Sequence, residues 1–222
     1  MELVRTLIDG VLVVKPQVFG DNRGFFFECY NERRFEELTG MTVNFVQDNE
    51  SKSKYGVLRG LHFQKPPFSQ SKLVRVVSGK VLDVAVDIRH GSPTFGKYVA
   101  VELSGDNHYQ LFLPKGIAHG FVVLSDEAIF AYKCDSYYEP SSECAIAWND
   151  PDINVNWSVP AEHIILSEKD KHNKNLKEIE QSLKNLIVGE ITQSIKDTKI
   201  DGIKIKKDSY LMIMQHKIID TK

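Results

Sequence analysis

The sequence has no long apolar run. No stretch approaches the roughly 20 consecutive apolar residues that a membrane-spanning helix needs. Residues 1–5, Met-Glu-Leu-Val-Arg, provide neither the apolar core nor the cleavage site of a signal peptide. These two absences argue against a membrane protein and against a secreted one. We therefore expect a soluble protein located in the cytoplasm, with no membrane partner.

The sequence also has few cysteines and no large excess of positive or negative charge. The chain has three cysteines, Cys29, Cys134 and Cys144, without C-x-x-C spacing, which favours free thiols in a reducing compartment over a disulfide framework. Its 28 Lys and Arg nearly balance its 30 Asp and Glu, giving a net charge of −2, so bulk charge gives no reason to expect a nucleic-acid partner. Only residues 171–222 are basic, with eleven Lys against seven Asp or Glu, a mixture typical of a solvated surface.

Short β-prone segments separated by Gly, Pro, Asn, Asp or Ser dominate the first two thirds of the chain. In the second half of residues 72–88, the apolar residues at 82, 84, 86 and 88 alternate with those at 81, 83, 85 and 87, among them Asp83 and Asp87. An alternation every two residues is typical of a strand with two unlike faces. Ser78-Gly79-Lys80 predicts a hairpin turn there. The other predicted strands are residues 11–14, 25–30, 45–49, 98–103, 109–113, 121–124 and 129–134. This pattern predicts an all-β, antiparallel sandwich or barrel.

Few helices are expected. Asn31 is a good N-cap residue and Gly40 a good terminator for a short helix over residues 32–38. Leu176 and Ile179 begin a series of apolar residues at helical spacing, which predicts an amphipathic helix over residues 173–187. From residue 189 the pattern is Lys-rich and mixed, with a turn at residues 200–203 and an apolar patch at 210–214. We expect one domain at 1–188 and a C-terminal extension at 189–222 of unknown role.

The segment Leu-Arg-Gly-Leu-His-Phe-Gln at residues 58–64, followed by Lys72, holds the main candidate residues. Arg59 and Lys72 are fixed cations and His62 can act as a base near neutral pH, a set that suits an anionic ligand with a proton to lose. A lone His is more often structural. The density of polar groups around His62, and the carboxylates of residues 166–170, which could orient its imidazole, favour the catalytic interpretation.

Other candidates have a structural and a functional interpretation. Tyr132 in a strand is usually a packing residue, but a phenol facing a His base could donate a proton from the opposite side. Arg23, Arg59 and Lys72 could be ordinary surface cations, and only together do they suit a diphosphate. Tyr138 could offer an aromatic face to a nucleobase or form part of an apolar rim.

Pro114-x-Gly116-x-x-His119 resembles the second motif of the cupin jelly-roll superfamily. In metal-binding cupins the first motif brings a His-x-His pair and a Glu. Here His62 is followed by Gln64 where the second His would stand, so a metal would have too few ligands. The sequence therefore predicts a metal-free site, and no Gly-rich dinucleotide loop indicates a nicotinamide cofactor.

Several segments together resemble the dTDP-4-dehydrorhamnose 3,5-epimerase family. They are residues 21–26, 47–49, 58–64, 72–76, 114–121, 132–133, 148–150 and 166–170, in the family's order, and the resemblance covers about residues 1–185. It implies a homodimeric cupin-type jelly-roll without a cofactor. The implied reaction is epimerisation at C3 and C5 of a 4-keto-6-deoxy sugar carried on dTDP.

Roles follow from the resemblance, motif by motif. His62 would be the base, Asp170 its orienting partner, Tyr132 the acid and Lys72 the cation that stabilises the enolate. The implied substrate-binding residues are Arg23, Glu28, Gln47, Asn49, Arg59, His119, Tyr138 stacking on thymine, Glu143 and Lys169. The alternatives are an epimerase acting at C3 alone or on another nucleotide sugar, a related cupin ketoisomerase, and a non-catalytic sugar-nucleotide-binding module. The last would predict loss of His62 or Tyr132, and both are present.

Overall fold

The structure is a computed structural model, and it describes residues 1–180. The elements with both ends in this range include thirteen β-strands and one short α-helix. The strands are β1 (Glu2–Arg5), β2 (Leu12–Lys15), β3 (Phe19–Asp21), β4 (Gly24–Phe26), β5 (Gln47–Lys54), β6 (Leu58–Gln64), β7 (Lys72–Ser78), β8 (Lys80–Asp87), β9 (Tyr98–Ser104), β10 (Gln110–Leu113), β11 (Ile117–Val123), β12 (Glu127–Cys134) and β13 (Glu143–Ala145), and the helix is α1 (Glu32–Thr39). Three single-turn 3-10 helices cover Pro140–Ser142, Ala161–His163 and Asp170–His172.

Two antiparallel sheets form a sandwich. One has six strands in the order β1-β2-β10-β7-β12-β5, and the other has five in the order β13-β6-β11-β8-β9. Side chains from both sheets build one core, including Val74 and Phe130 from the first and Val81 and Phe121 from the second. The rings of Phe121 and Phe130 stack at 4.2 Å between centroids. The predicted all-β jelly-roll sandwich with few short helices is confirmed.

The predicted first helix is confirmed and extends one residue further, to Thr39. Asn31 caps it by accepting a hydrogen bond from the backbone N–H of Arg34, and Gly40 ends it in the left-handed conformation with φ of 69°. Phe35 is buried and packs edge-on against Phe112 of β10, with 5.1 Å between ring centroids. The helix therefore covers part of the six-stranded sheet.

The predicted hairpin at Ser78-Gly79-Lys80 is wrong. β7 pairs with β10 and β12, whereas β8 pairs with β9 and β11, so the chain crosses at Gly79 from one sheet to the other. Gly79 has φ of 78°, and a Cβ there would lie 2.1 Å from the carbonyl oxygen of Glu127. Lys80 N–H binds the hydroxyl of Ser125 at 2.8 Å. A tight glycine turn is required at such a corner just as it is in a hairpin.

The predicted strand over residues 25–30 is also largely wrong. Only Gly24–Phe26 is extended, and it pairs with Phe19–Asp21 in a separate two-stranded hairpin. Phe25 and Phe27 instead place their rings against His108, at 4.6 and 4.8 Å between centroids. Phe25 and Phe26 remain 63% and 70% exposed, because the hairpin adds to neither sheet and few neighbours cover these rings.

The end of the described chain is held to the body. Asp150 is buried and accepts a hydrogen bond from the backbone N–H of Leu176 at 2.6 Å, and residues 176–180 are helical, as predicted. The rest of the predicted helix, the predicted boundary at 188/189, and the turn and patch expected near residues 200 and 210 lie outside the described residues. The first compact unit of the chain is Met1–Ile179. None of the helices in residues 1–180 has the length and hydrophobicity of a membrane span.

Candidate active site

His62 and Asp170, two of the predicted site residues, are in contact. His62 lies on β6, and its Nε2 is 2.6 Å from Oδ1 of Asp170, which begins a single-turn 3-10 helix 108 residues later. The imidazole keeps 30% of its surface exposed, whereas the carboxylate is 4% exposed. The buried carboxylate therefore holds one ring nitrogen, while part of the imidazole stays accessible to a ligand.

Three neighbours, His62, Ser167 and Asn173, keep Asp170 in its ionised form. Ser167 donates its hydroxyl to Oδ2 at 2.9 Å, and Asn173 donates its amide to Oδ1 at 3.3 Å. Burial by itself would raise the pKa of Asp170, but the hydrogen bond and charge of His62, with the hydrogen bonds of Ser167 and Asn173, bring this pKa below its ordinary value. A carboxylate that stays charged can orient and stabilise an imidazolium.

His119 forms a second imidazole–carboxylate pair. It stands directly opposite His62 in the pairing of β11 with β6, so both side chains leave the same face of the sheet. Its Nε2 lies 2.9 Å from Oδ2 of Asp83, and Asp83 is completely buried. Sequence reasoning assigned no role to Asp83. The available signal was a carboxylate inside the alternating segment 81–88, on the face that turns out to line the core.

Lys72 and Tyr132 lie on the other sheet. Tyr132 stands opposite the core residue Val74 in the pairing of β12 with β7, and Lys72 is two residues before Val74, so both face the interior of the sandwich. The ammonium of Lys72 lies 5.7 Å from the centroid of the Tyr132 ring. Burial lowers the pKa of Lys72 and raises that of Tyr132.

Cys134 and two amides of β5 continue this wall. Cys134 stands opposite both Lys72 and Gln47, and burial raises the pKa of its thiol to about 11, an effect that the Lys72 ammonium opposes. The amide of Asn49 lies 3.9 Å from the sulfur and accepts a hydrogen bond from Gln47 at 2.9 Å. The thiol is therefore neutral and the wall presents mostly uncharged polar groups beside a single ammonium.

Charged and aromatic groups stand at the mouth of the site. Glu143 accepts hydrogen bonds from the hydroxyl of Tyr138, at 2.5 Å, and from the ammonium of Lys169. Burial acts to raise the pKa of Glu143, but these two hydrogen bonds bring it below its ordinary value. Arg59 is exposed and binds the hydroxyl of Ser53 at 3.2 Å through Nε. Its positive charge also acts to lower the pKa of Tyr132.

Arg23 and Glu28 are not brought to this site within one chain. Arg23 forms an ion pair with Asp21 and its side chain is 85% exposed. Glu28 accepts a hydrogen bond from the amide of Asn31 at 3.1 Å. Both residues follow or belong to the exposed β3–β4 hairpin.

The described residues also bear on metal binding. In residues 1–180, no group of three or more His, Cys, Asp or Glu side chains is arranged to hold a metal ion. His62 and His119 each bind a carboxylate, and Gln64 points its carboxamide at backbone groups of neighbouring loops. The arrangement of His62, Tyr132 and Lys72 supports proton transfer. A candidate base and a candidate acid project from opposite sheets into the same interior, and the ammonium of Lys72 lies beside the acid.

Comparison with known proteins identifies one family over most of the chain. Residues 5–178 match the family model described as dTDP-4-dehydrorhamnose 3,5-epimerase. The enzyme of that name from Shigella flexneri is 55% identical over 170 residues, which is 77% of this chain and 93% of the relative. A crystal structure of dTDP-6-deoxy-D-glucose-3,5-epimerase from Legionella pneumophila Philadelphia 1, in complex with dTDP-4-keto-L-rhamnose, is 51% identical, with a TM-score of 0.79 and coverage of 82% of this chain and 96% of that one.

Two further matches are more distant or partial. A 3'-monoepimerase from Streptomyces bikiniensis, solved in complex with dTDP-quinovose, is 32% identical with a TM-score of 0.73, covering 78% of this chain and 86% of that one. Residues 164–222 match a second family model, which describes the C-terminal part of fatty acid kinase-like proteins. That match overlaps the end of the first one and lies mostly outside the described residues.

Proposed function

The chain belongs to the dTDP-4-dehydrorhamnose 3,5-epimerase family, and we propose that His62, Lys72 and Tyr132 carry out its reaction. The enzyme is an isomerase that converts dTDP-4-keto-6-deoxyglucose to dTDP-4-keto-rhamnose by inverting C3 and C5. The observation that carries the assignment of roles is the position of His62 on one sheet and Tyr132 on the other, facing the same interior.

Proton removal is the first step. A hydrogen on the carbon next to a ketone is acidic because the carbanion that forms is delocalised as an enolate. His62 takes this proton with the ring edge that Asp170 leaves open, and the Asp170 carboxylate stabilises the imidazolium. The developing negative charge lies on O4 of the sugar. Lys72, which is half-buried, stabilises that charge with its ammonium, because an electrostatic interaction partly shielded from water is stronger than one in water.

Inversion requires that the proton returns to the opposite face of the ring. Tyr132 projects from the six-stranded sheet, across the interior from His62 on the five-stranded sheet, and donates its phenolic proton there. Burial raises the pKa of Tyr132, so the phenol is protonated at neutral pH and can act as an acid.

The two centres undergo no net oxidation, so the chemistry requires no nicotinamide. We propose that the enzyme works without a cofactor in the cytoplasm, where its three free thiols stay reduced.

The nucleotide part of the substrate binds at the mouth. Arg59 and Lys169 supply positive charge for the diphosphate, and Tyr138 supplies an aromatic face for thymine. Gln47, Asn49, Glu143 and His119 provide further hydrogen-bonding groups. These assignments are supported by the position of these residues around His62 and Tyr132, and by a relative's complex with dTDP-4-keto-L-rhamnose.

We also propose a homodimer in which Arg23 and Glu28 reach the partner's site. Two observations support this. Within the described part of one chain, the side chains of Arg23 and Glu28 form hydrogen bonds with residues two or three positions away in sequence. The hairpin beside them exposes Phe19, Phe25 and Phe26 to solvent. Exposed aromatic side chains grouped on a small hairpin favour burial against a second protomer.

A mixing experiment tests this arrangement. Arg23→Ala and His62→Ala protomers, each inactive alone, would be denatured and refolded together. Random pairing makes half of the dimers hybrids of the two variants. If Arg23 acts on the partner's site, one of the two sites in each hybrid has both His62 and Arg23. Activity then returns to about a quarter of the wild-type value. If Arg23 acts within its own chain, every site carries a defect and no activity returns.

The reaction itself is tested by NMR of dTDP-4-keto-6-deoxyglucose incubated with the protein in heavy water. Deuterium at both C3 and C5, with the 4-keto-rhamnose product trapped by a reductase, is the expected result. Deuterium at C3 alone would make this chain a single epimerase, as the relative from Streptomyces bikiniensis is described. Absence of exchange at both carbons would contradict the proposed function.

A further inference from the structure

Gln64 makes an unusually complete set of hydrogen bonds at the end of β6. Only 7% of the residue is exposed. Its Nε2 donates to the carbonyl oxygens of Phe68 at 2.9 Å and Tyr137 at 3.4 Å. Its Oε1 accepts from the backbone N–H of Glu139 at 2.7 Å and from the hydroxyl of Ser142 at 3.3 Å. A primary amide has two donors and two acceptor lone pairs, so both ends of this side chain are hydrogen-bonded. The single hydroxyl proton of Ser142 is shared with the carbonyl oxygen of Glu139 at 3.0 Å, so the N–H of Glu139 makes the firmer bond to Oε1.

Two of these bonds hold the residues on either side of Tyr138. Gln64 binds the carbonyl of Tyr137 and the N–H of Glu139, and the N–H of Tyr138 itself donates to Oε1 of Gln47 at 3.0 Å. The backbone of residues 137–139 is therefore held at three consecutive positions, by Gln64 from the five-stranded sheet and Gln47 from the six-stranded sheet. The Tyr138 ring stays 50% exposed, so its backbone is fixed while its aromatic face remains available at the mouth of the site.

We propose that Gln64 is a positioning residue for nucleotide binding. It fixes the backbone of residues 137–139, and this holds the Tyr138 ring where the base of the substrate arrives. The inference rests on the proposed function, because it takes Tyr138 as the residue that stacks on thymine. It also gives a reason for an amide at this position: an imidazole has two ring nitrogens and could not replace four hydrogen bonds.

The substitution Gln64→Glu tests this with little change in shape. A carboxylate can still accept from Glu139 and Ser142, but it has no N–H for the two carbonyls and would place a negative oxygen against them. The loop should move, and the Kd for dTDP and the KM for the sugar nucleotide should each rise at least tenfold. The kcat should change little, because the proton-transfer groups are untouched. Such a split is the signature of lost binding that is equal in the ground state and the transition state.

Gln70→Glu is the matched control. Gln70 also donates its amide to this loop, at 2.8 Å to the carbonyl oxygen of Ser136, but that bond lies outside the residues flanking Tyr138. The affinity for dTDP should stay within about twofold of the wild type, since a single hydrogen bond to a backbone group contributes modestly. Thermal unfolding of each variant reports whether it is folded. If Gln64→Glu does not fold, Gln64→Met removes the same bonds without adding charge.

A double-mutant cycle separates positioning from general destabilisation. The Kd for dTDP is measured by calorimetry for the wild type, Gln64→Glu, Tyr138→Ala and the double variant. If Gln64 acts through Tyr138, its substitution should cost less than about twofold once the ring is gone. Additive losses, or an unchanged Kd in a folded Gln64 variant, would overturn the proposal. Failure of the wild-type protein to bind dTDP would overturn the proposed function, and this inference with it.

Discussion

His62 and His119 lie directly opposite each other on neighbouring strands, and each imidazole binds a carboxylate of its own. Their environments differ. The His62 side chain is 30% exposed and that of His119 is 8% exposed, with Asp83 fully buried behind it. A base must reach the proton that it removes, so the more accessible of the two is the better candidate. His119 is better placed to bind or orient the substrate from within the wall.

His62→Ala should abolish turnover and deuterium exchange at C3 and C5. The substitution removes the only group proposed to take these protons, and a positioned base contributes about 10²–10⁴ in rate. Affinity for dTDP should change little, because the groups proposed to bind the nucleotide remain. NMR in heavy water and calorimetry measure the two quantities. His163→Ala, at an exposed His in a 3-10 helix, is the control and should behave as the wild type. Normal exchange in His62→Ala would remove His62 from the role of base.

Tyr132→Phe should separate exchange from inversion. His62 can still remove a proton and return one from solvent to the same face, so deuterium should enter the substrate. Net epimerisation should fall by about 10²–10⁴, the usual contribution of a positioned acid. The measurement is the ratio of deuterium incorporation to product formed. Tyr55→Phe, at a partly exposed tyrosine that packs against His163, should leave this ratio unchanged. Unaltered epimerisation by Tyr132→Phe would reduce Tyr132 to a packing residue.

Lys72 should set an alkaline limit to the rate. Burial lowers the pKa of its ammonium from the ordinary value of 10.5, and the proposed mechanism needs the charged form. The rate should therefore fall as the pH rises through this lowered pKa. Tyr132 must also stay protonated, but burial moves its pKa in the opposite direction, upward from 10.0.

Two variants check the assignment of this limit. Lys72→Met should lose about 10²–10³ in kcat, as removal of one group that stabilises an oxyanion does. Lys72→Arg keeps a charge at every accessible pH, so any remaining activity should lose the alkaline limit. Lys54→Arg, on the exposed surface of β5, serves as control. A limit that persists unchanged in Lys72→Arg would assign it to another group.

Some local signals in the sequence predicted the corresponding structures correctly, although the β-prone residues 25–30 did not. The Asn31 cap, the Gly40 terminator and the strands of residues 72–88 depend on residues close in sequence, and the structure has them. The contact between His62 and Asp170 was also predicted, although the two are distant, because the family's motifs carry both residues in the same order.

Such local signals could not predict strand pairing or contacts between residues far apart in the sequence. Gly79 satisfies the rules for a hairpin turn, but which strands pair is decided by partners far along the chain, and here they lie in two sheets. Asp83 follows the alternation of β8, yet its role depends on His119, 36 residues later. Arg23 carries a family motif, but one chain alone does not bring it near His62.

Asp87→Asn should destabilise the fold in a pH-dependent manner. Asp87 is fully buried and accepts hydrogen bonds from Arg89, Ser92 and Thr94. Burial would raise its pKa, but these bonds lower it from 3.8 to about 2. A lowered carboxyl pKa stabilises the folded state above about pH 4 and ceases to do so as the pH falls through the folded value. This lowering of the pKa corresponds to about 2 kcal/mol in the free energy of unfolding at neutral pH.

Asp152→Asn provides the control. Asp152 pairs with the ammonium of Lys177 at 2.9 Å, but both side chains are exposed and such pairs contribute little. Denaturant unfolding at a series of pH values gives the free energy of unfolding for each variant. The deficit of Asp87→Asn should be full at pH 7 and shrink between about pH 4 and pH 2, while Asp152→Asn should match the wild type throughout. A deficit that stays constant down to pH 2 would show that the charge of Asp87 does not stabilise the fold, and that only the shape of its hydrogen-bonding site matters.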